Sequence, residues 1–189
     1  MEFNEFMEIA KARQSCRNYD KDKAVEVEKL KSCLEAMKLS PSACNAQPYY
    51  YYIVSGDDAK YISKYFQKGK MNSFTDNVNA FAIVTEENYN LSAKIGSKVK
   101  DQDYKSIDIG ISAAYFTAQA TTLGLSTCCI GWFDEEKLQK FLKTKNRIRL
   151  AIAIGYPKND ELREKKRKTA DALYTIINEE VELLSLIHI

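Results

Sequence analysis

Apolar residues recur along the chain with two periods, and the changes between them predict where helices give way to strands. Phe3, Phe6, Met7 and Ala10 follow helical spacing, which predicts an opening helix from about Phe3 to Arg13. A polar segment carries Arg13 to Asp22. Val25, Val27, Leu30, Leu34, Met37 and Leu39 then return to the 3.6-residue period, with Pro41 marking the stop. Tyr49 to Val54 concentrates aromatic and β-branched residues ahead of Ser55-Gly56 and reads as a strand. Asp57 and Asp58 offer caps for a helix reaching about Phe66. Phe81 to Val84 is a short buried strand, Ile107 to Leu125 a long, Ala-rich, centrally buried helix, and Thr127 to Phe133 the strand it feeds. Asp134 caps a helix through Leu142, and Ile148, Leu150, Ile152 and Ile154 alternate as a strand ending at Gly155-Tyr156-Pro157. The pattern does not set the strand order, and no repeat or linker divides the chain.

Composition narrows the class. The 189 residues are 45% hydrophobic and 29% charged, with 7 Gly and 3 Pro, which excludes a disordered, collagen-like or low-complexity chain. At this length folding buries about 70% of the surface of an unfolded chain, enough for a real core. Lys+Arg 28 against Asp+Glu 26 leaves +2, without the basic footprint of a nucleic-acid or membrane-surface partner. No run approaches the ~20 apolar residues of a membrane span. Cys16, Cys33, Cys44, Cys128 and Cys129 form an odd set with no C-x-x-C spacing and no secretory leader before them, so the expectation is reduced thiols in a cytoplasm. Residues 184–189 read as the translated end of a sequencing adapter, which leaves 1–183 as a single domain. The only histidine, His188, falls in that tail, so no Ser-His-Asp triad, Cys-His pair or His-bearing metal site is expected, and no metal is assigned.

Four segments can carry chemistry. Arg13-Gln14-Ser15-Cys16-Arg17 sets two guanidinium groups around a hydroxyl, either a solvated surface cluster or a set of forked donors for a phosphate. Pro41-Ser42-Ala43-Cys44-Asn45-Ala46-Gln47-Pro48 joins small residues to three uncharged hydrogen-bonding side chains; it is a self-stabilised turn or a loop that lets a planar ligand approach the backbone. Gly124 to Phe133 combines small residues, a glycine and aromatics, suited to contact with one face of a flat ring, while core packing is the better reading for Cys128 and Cys129. Arg163-Glu164-Lys165-Lys166-Arg167-Lys168 is the one dense basic run. It is a solvated face unless the fold returns it to Arg13 and Arg17.

Together and in this order, these segments resemble the FMN-dependent nitroreductase family from about Phe3 to Asn178. Arg13 to Arg17 is similar to the family's Arg-x-Ser-x-Arg motif, and Pro41 to Pro48 followed by Tyr49 to its Pro-Ser-x-x-Asn-x-Gln-Pro-Trp loop. Ser106 to Gly110 resembles the family's helix start, and Gly124 to Phe133, Ile154 to Pro157 and Lys165 to Arg167 its later motifs. The resemblance implies an α+β fold with a central, mostly antiparallel sheet flanked by helices, and a homodimer holding FMN at the subunit interface. Arg13, Gln14 and Ser15 would face the FMN phosphate and ribityl chain, joined by Lys165 and Arg167, and Arg17 would reach the pyrimidine edge. Pro41, Ser42, Ala43 and Asn45 would come from the partner subunit with Gln47 supporting their loop, Cys129, Ile130 and Gly131 would line the ring, and Asn72 would lie close by. Tyr49 stands where the family usually has Trp, Ser126 where glycine is common and Cys129 where methionine is common.

The implied activity is ping-pong transfer of hydride from NAD(P)H through flavin N5 to a small electron-poor acceptor such as a nitroaromatic or quinone, with no catalytic side chain required. Two alternatives stay open: a flavin storage or redox-sensing protein with little turnover, in which aromatics such as Phe74 and Trp132 close the space above the ring, and a related flavin reaction such as dehalogenation.

Overall fold

A computed structural model of the protein describes residues 3–67, 69, 71–88, 102–159 and 161–177; the tail 184–189 with His188 lies outside them. Helix α1 spans Phe3–Ala12, α2 Val27–Lys38, α3 Asp57–Ile62, α4 Tyr104–Thr122 and α5 Glu135–Leu142. Strands β1 Tyr49–Ser55, β2 Ala80–Glu86, β3 Ser126–Ile130 and β4 Ile148–Gly155 form one sheet in the order β1-β2-β4-β3, every pair antiparallel. This is the expected α+β arrangement.

Each face of the sheet carries its own core, as period-two alternation requires. On one face Ala82, Val84, Ile152 and Ile154 pack with Leu30, Cys33 and Met37 of α2 and Ile109, Ala113, Phe116 and Ala120 of α4. On the other, Phe81, Ile83, Cys128, Ile130, Ala151 and Ala153 pack with Ala59, Ile62, Phe66 and Leu138.

The sequence-based boundaries shift in instructive places. Asp57 and Asp58 occupy the first turn of α3 instead of its cap; Gly56, at φ 66°, is the cap, a left-handed conformation that glycine adopts at no steric cost. A 3-10 turn, Ser63–Phe66, completes the run predicted as one helix. Strand β2 is longer than expected because flanking Ala80, Thr85 and Glu86 pair with β1, while β3 stops at Ile130 and releases Gly131 to Phe133 into a turn. Helix α4 begins at Tyr104, where Asp103 accepts a hydrogen bond from the Ser106 amide, and it is buried on one side only, with Ile107 and Tyr115 exposed. Asp134 caps α5 as predicted, accepting from the Lys137 amide.

Candidate functional site

The Arg13–Arg17 segment leaves α1 and lies along β3. The Cys16 amide donates to the Thr127 carbonyl at 2.9 Å, and Ser15 pairs with Thr127 as a parallel bridge. The late basic run folds back onto this segment, the condition that the sequence could not decide. Lys165 Nζ donates to the Arg13 carbonyl at 2.8 Å and also to that of Ala10, so it satisfies acceptors that the end of α1 leaves open. Gln14 Nε2 donates to the Glu161 carbonyl at 2.9 Å, and its Oε1 accepts from the Arg163 amide at 3.2 Å. The Arg163 guanidinium reaches the Ser15 carbonyl. Gln14 is therefore spent holding the returning segment, and Arg163 is a fastener that the motif reading did not single out.

The electrostatics here are one-sided. Burial lowers the Lys165 pKa, and the charges of Arg13 and Arg167 lower it further. Among the described residues none of Arg13, Arg17, Arg163, Lys165 and Arg167 forms an ion pair with a carboxylate. Like charges gathered without a counter-charge suit an anion, and a phosphate monoester dianion is matched by guanidinium forks, an ammonium and the Ser15 hydroxyl. The buried Thr127 hydroxyl, paired in register with Ser15, has no hydrogen-bond partner among the described residues. Arg17 lines a cavity of about 260 Å³ with Ser15, Arg163 and Glu161, a cavity that Arg13, Lys165 and Arg167 do not line. Desolvation raises both thiols of β3; Arg17 opposes the rise at Cys128 and Arg13 opposes it at Cys129.

Strand alternation also separates the two cysteines. Cys128 is buried, but Cys129 is exposed, which corrects the expectation that both are core residues. Ile130 turns its side chain into the second core, leaving only its backbone for a ligand, and Gly131 is exposed at the strand's exit.

The Pro41–Pro48 loop is built differently. Cys44, Asn45 and Gln47 all have left-handed backbones, φ 51°, 50° and 45°, which cost non-glycine residues on the order of 1–2 kcal/mol each. Short-range bonds hold the shape: the Gln47 amide donates to Ser42 Oγ at 3.0 Å, and Gln47 Nε2 donates to Asn45 Oδ1 at 3.0 Å. The anchor is Asp108 in the first turns of α4, 2% exposed, whose two carboxylate oxygens accept from the Ala43 amide at 3.1 and 3.2 Å. Burial raises the Asp108 pKa, and the Ala43 amide opposes the rise. Pro41, Asn45 and Gln47 stand exposed, and Ser42 and Ala43 are half-buried.

These two segments sit at diagonal corners of the sheet. The loop enters β1 at Tyr49, opposite Glu86, whereas Ser15 meets β3 at Thr127, in the row Thr127, Ile154, Ala80, Ser55. Three strand spacings across and six residues along place them on the order of 25 Å apart.

Near the β3 exit, Asn72 Nδ2 donates to the carbonyls of Phe66 at 3.2 Å and Trp132 at 3.5 Å, so its amide holds the turn after Gly131. Beside this turn opens a cleft of about 640 Å³ between Lys64, Tyr65 and Gln67 on one wall and Gly131 to Asp134 and Lys137 on the other. No described helix is long and apolar enough to cross a membrane, and no described group of His, Cys, Asp and Glu is arranged to hold a metal ion.

Comparison with known proteins supports the family resemblance. The sequence profile of the Nitroreductase family matches residues 10–156. An oxygen-insensitive NADPH nitroreductase of Helicobacter acinonychis (strain Sheeba) is 25% identical, across 85% of this chain and 91% of that protein. An FMN-dependent nitroreductase of Clostridium difficile R20291 superposes with a TM-score of 0.66 at 24% identity, covering 88% of this chain and 94% of that one. A nitroreductase-like protein of Streptococcus mutans reaches 0.79 at 15% identity, covering 94% and 100%. These two structures are similar in fold.

Proposed function

The chain belongs to the nitroreductase family, and from that premise we propose that it is an FMN-dependent oxidoreductase. It passes hydride from NAD(P)H to small electron-poor acceptors, nitroaromatics or quinones, by a ping-pong cycle. The observation that carries this reading is the return of Lys165 onto the Arg13 carbonyl, with the charges of Arg13 and Arg167 both acting on its ammonium and no carboxylate paired to any of the three among the described residues. When bound, the flavin supplies at N5 the hydride carrier that no side chain here provides.

The chain's own residues bind and polarise. Arg13, Ser15, Lys165 and Arg167 hold the phosphate, while Gln14 and Arg163 keep the returning segment in place. Arg17 would face the pyrimidine edge, where a fixed guanidinium would stabilise the negative charge that reduction leaves near N1 and the C2 carbonyl. Cys129, the Ile130 backbone and Gly131 would line the ring. Asn72 acts by fixing the Trp132 turn.

Pro41, Ser42, Ala43 and Asn45 are supplied by a second protomer, with Gln47 supporting them. The diagonal placement of the two segments supports that division, as does the exposure of Ile107 and Tyr115 on α4. The open cleft beside Gly131 favours turnover over a storage protein, since Trp132 and Tyr65 wall the space without filling it and Phe74 is stacked on Tyr19.

Purification with FMN and a visible spectrum test this directly. The expected result is a yellow dimer that anaerobic NADH or NADPH bleaches. A colourless monomer that takes up no flavin overturns the proposal, and a yellow dimer that neither nucleotide bleaches replaces it with the storage reading.

A further inference from the structure

Resting on the oxidoreductase reading above, we propose that the cleft beside Gly131 is a subsite for a flat aromatic ring carrying an anionic group, with the ring on Trp132 and the anion at Lys64. At about 640 Å³ the cleft falls in the size range of small-molecule sites. Its two walls come from separate parts of the chain and are fastened to each other. The Asp134 amide donates to the Tyr65 carbonyl at 2.7 Å, and the Asn72 amide bridges the carbonyls of Phe66 and Trp132. The space is therefore formed in advance of any ligand.

The lining specifies the ligand. Trp132 is 52% exposed and lines the cleft together with Tyr65, so two aromatic side chains border the space. Gly131 has no side chain, so a ring lying on the indole can continue toward the strand exit. Of the charged lining groups, Lys137 is paired with Asp134 at 2.9 Å and lies 5.9 Å from the Tyr65 ring centroid. Lys64 is exposed and has no ion pair among the described residues, which leaves the described lining at +1. The Gln67 amide is committed to Thr75 and Asp76. An aromatic platform beside one uncommitted ammonium selects for a planar anion over a planar neutral molecule. The anion can be a nucleotide phosphate or an acidic substituent on the acceptor.

Trp132 is the only tryptophan in the chain, so its fluorescence reports occupancy without turnover. The protein is titrated with 4-nitrobenzoate, neutral 4-nitrobenzyl alcohol and NADP+. Lys64→Gln is expected to weaken at least one anionic ligand by roughly tenfold, the loss of one charge-assisted contact, while the alcohol binds as before and Lys64→Arg restores affinity. A loss confined to NADP+ assigns the subsite to the nucleotide phosphate, and one confined to 4-nitrobenzoate assigns it to the acceptor. Equal affinities of wild type and Lys64→Gln for all three ligands, or an equal loss for the alcohol, overturn the proposal. A failed flavin reading registers separately as a colourless preparation, since the titration needs no flavin.

Discussion

The arginine segment and the Pro41–Pro48 loop reach a defined shape by opposite means. The first is fastened over long sequence distance, with Gln14, Arg163 and Lys165 tying positions 10–15 to positions 161–165 through side chains. The second is shaped locally by three left-handed residues and one buried carboxylate, and it leaves Pro41, Asn45 and Gln47 facing outward. Long-range fastening gathers cations from both ends of the described chain at one place, whereas local fastening sets a rigid loop outward at the far corner of the sheet. In the present reading that loop serves the cleft of a second protomer.

The sharpest way to break the comparison is to damage the two regions in different protomers. Arg13→Ala and Asp108→Ala should each weaken FMN retention by ten- to a hundredfold, because each removes a charge-assisted contact of about 1.5–3 kcal/mol. In a mixed dimer of the two variants, one of the two clefts combines an intact arginine segment with an intact loop. Fluorimetric titration should then recover half of the sites at wild-type affinity. Recovery of none would place both regions in the same protomer's site.

Next in size, Arg17→Ala should lower the flavin reduction potential by about 30–60 mV, the equivalent of one charge-assisted contact in a two-electron couple. A dye-coupled redox titration measures it, and FMN affinity should change less than in Arg13→Ala. An unchanged potential would remove Arg17 from the pyrimidine edge.

The smallest expected effect is a pH dependence. Burial holds the folded-state pKa of Asp108 above its ordinary value, so its contribution to stability is fully present below the usual carboxylate range and lost as pH rises through the raised value. Asp108→Asn keeps an acceptor for the Ala43 amide without the buried charge. Its melting temperature should therefore match or exceed wild type at neutral pH, and the difference should shrink as the solution is acidified below that range. A difference that grows on acidification would mean that the carboxylate's charge stabilises the loop.

Much of the architecture was readable because it is written in local chemistry. The strand from Ile148 and the Asp134 cap depend on neighbours in sequence, and both are present; the alternation itself breaks at a register shift opposite Val84 and Thr85, which puts Ile148 in the core on the other face from Ile152 and Ile154. The strand order was not readable, since pairing β2 with β4 joins residues about seventy positions apart and no local period encodes that choice. The same division holds at the site. Arg13, Ser15 and Lys165 stood out by type, but Arg163 acts through backbone carbonyl and amide groups, which any sequence supplies. Asp108 was hidden in a helix start, where an acidic residue is ordinary; only its 2% exposure marks it as an anchor. Cys129 was misread because a strand at the sheet's edge covers one face and not the other.

Lys165 joins two duties in one ammonium. The group that tethers the last turn of the first helix is also one of the phosphate ligands of the proposed function, so in that proposal occupancy and helix fraying share a handle. A dianion that draws this ammonium away loosens its grip on the backbone at positions 10 and 13. Deuterium uptake there should then rise on loading even as the rest of the fold slows its exchange. A cofactor would thus announce its arrival at the amino-terminal end of the molecule.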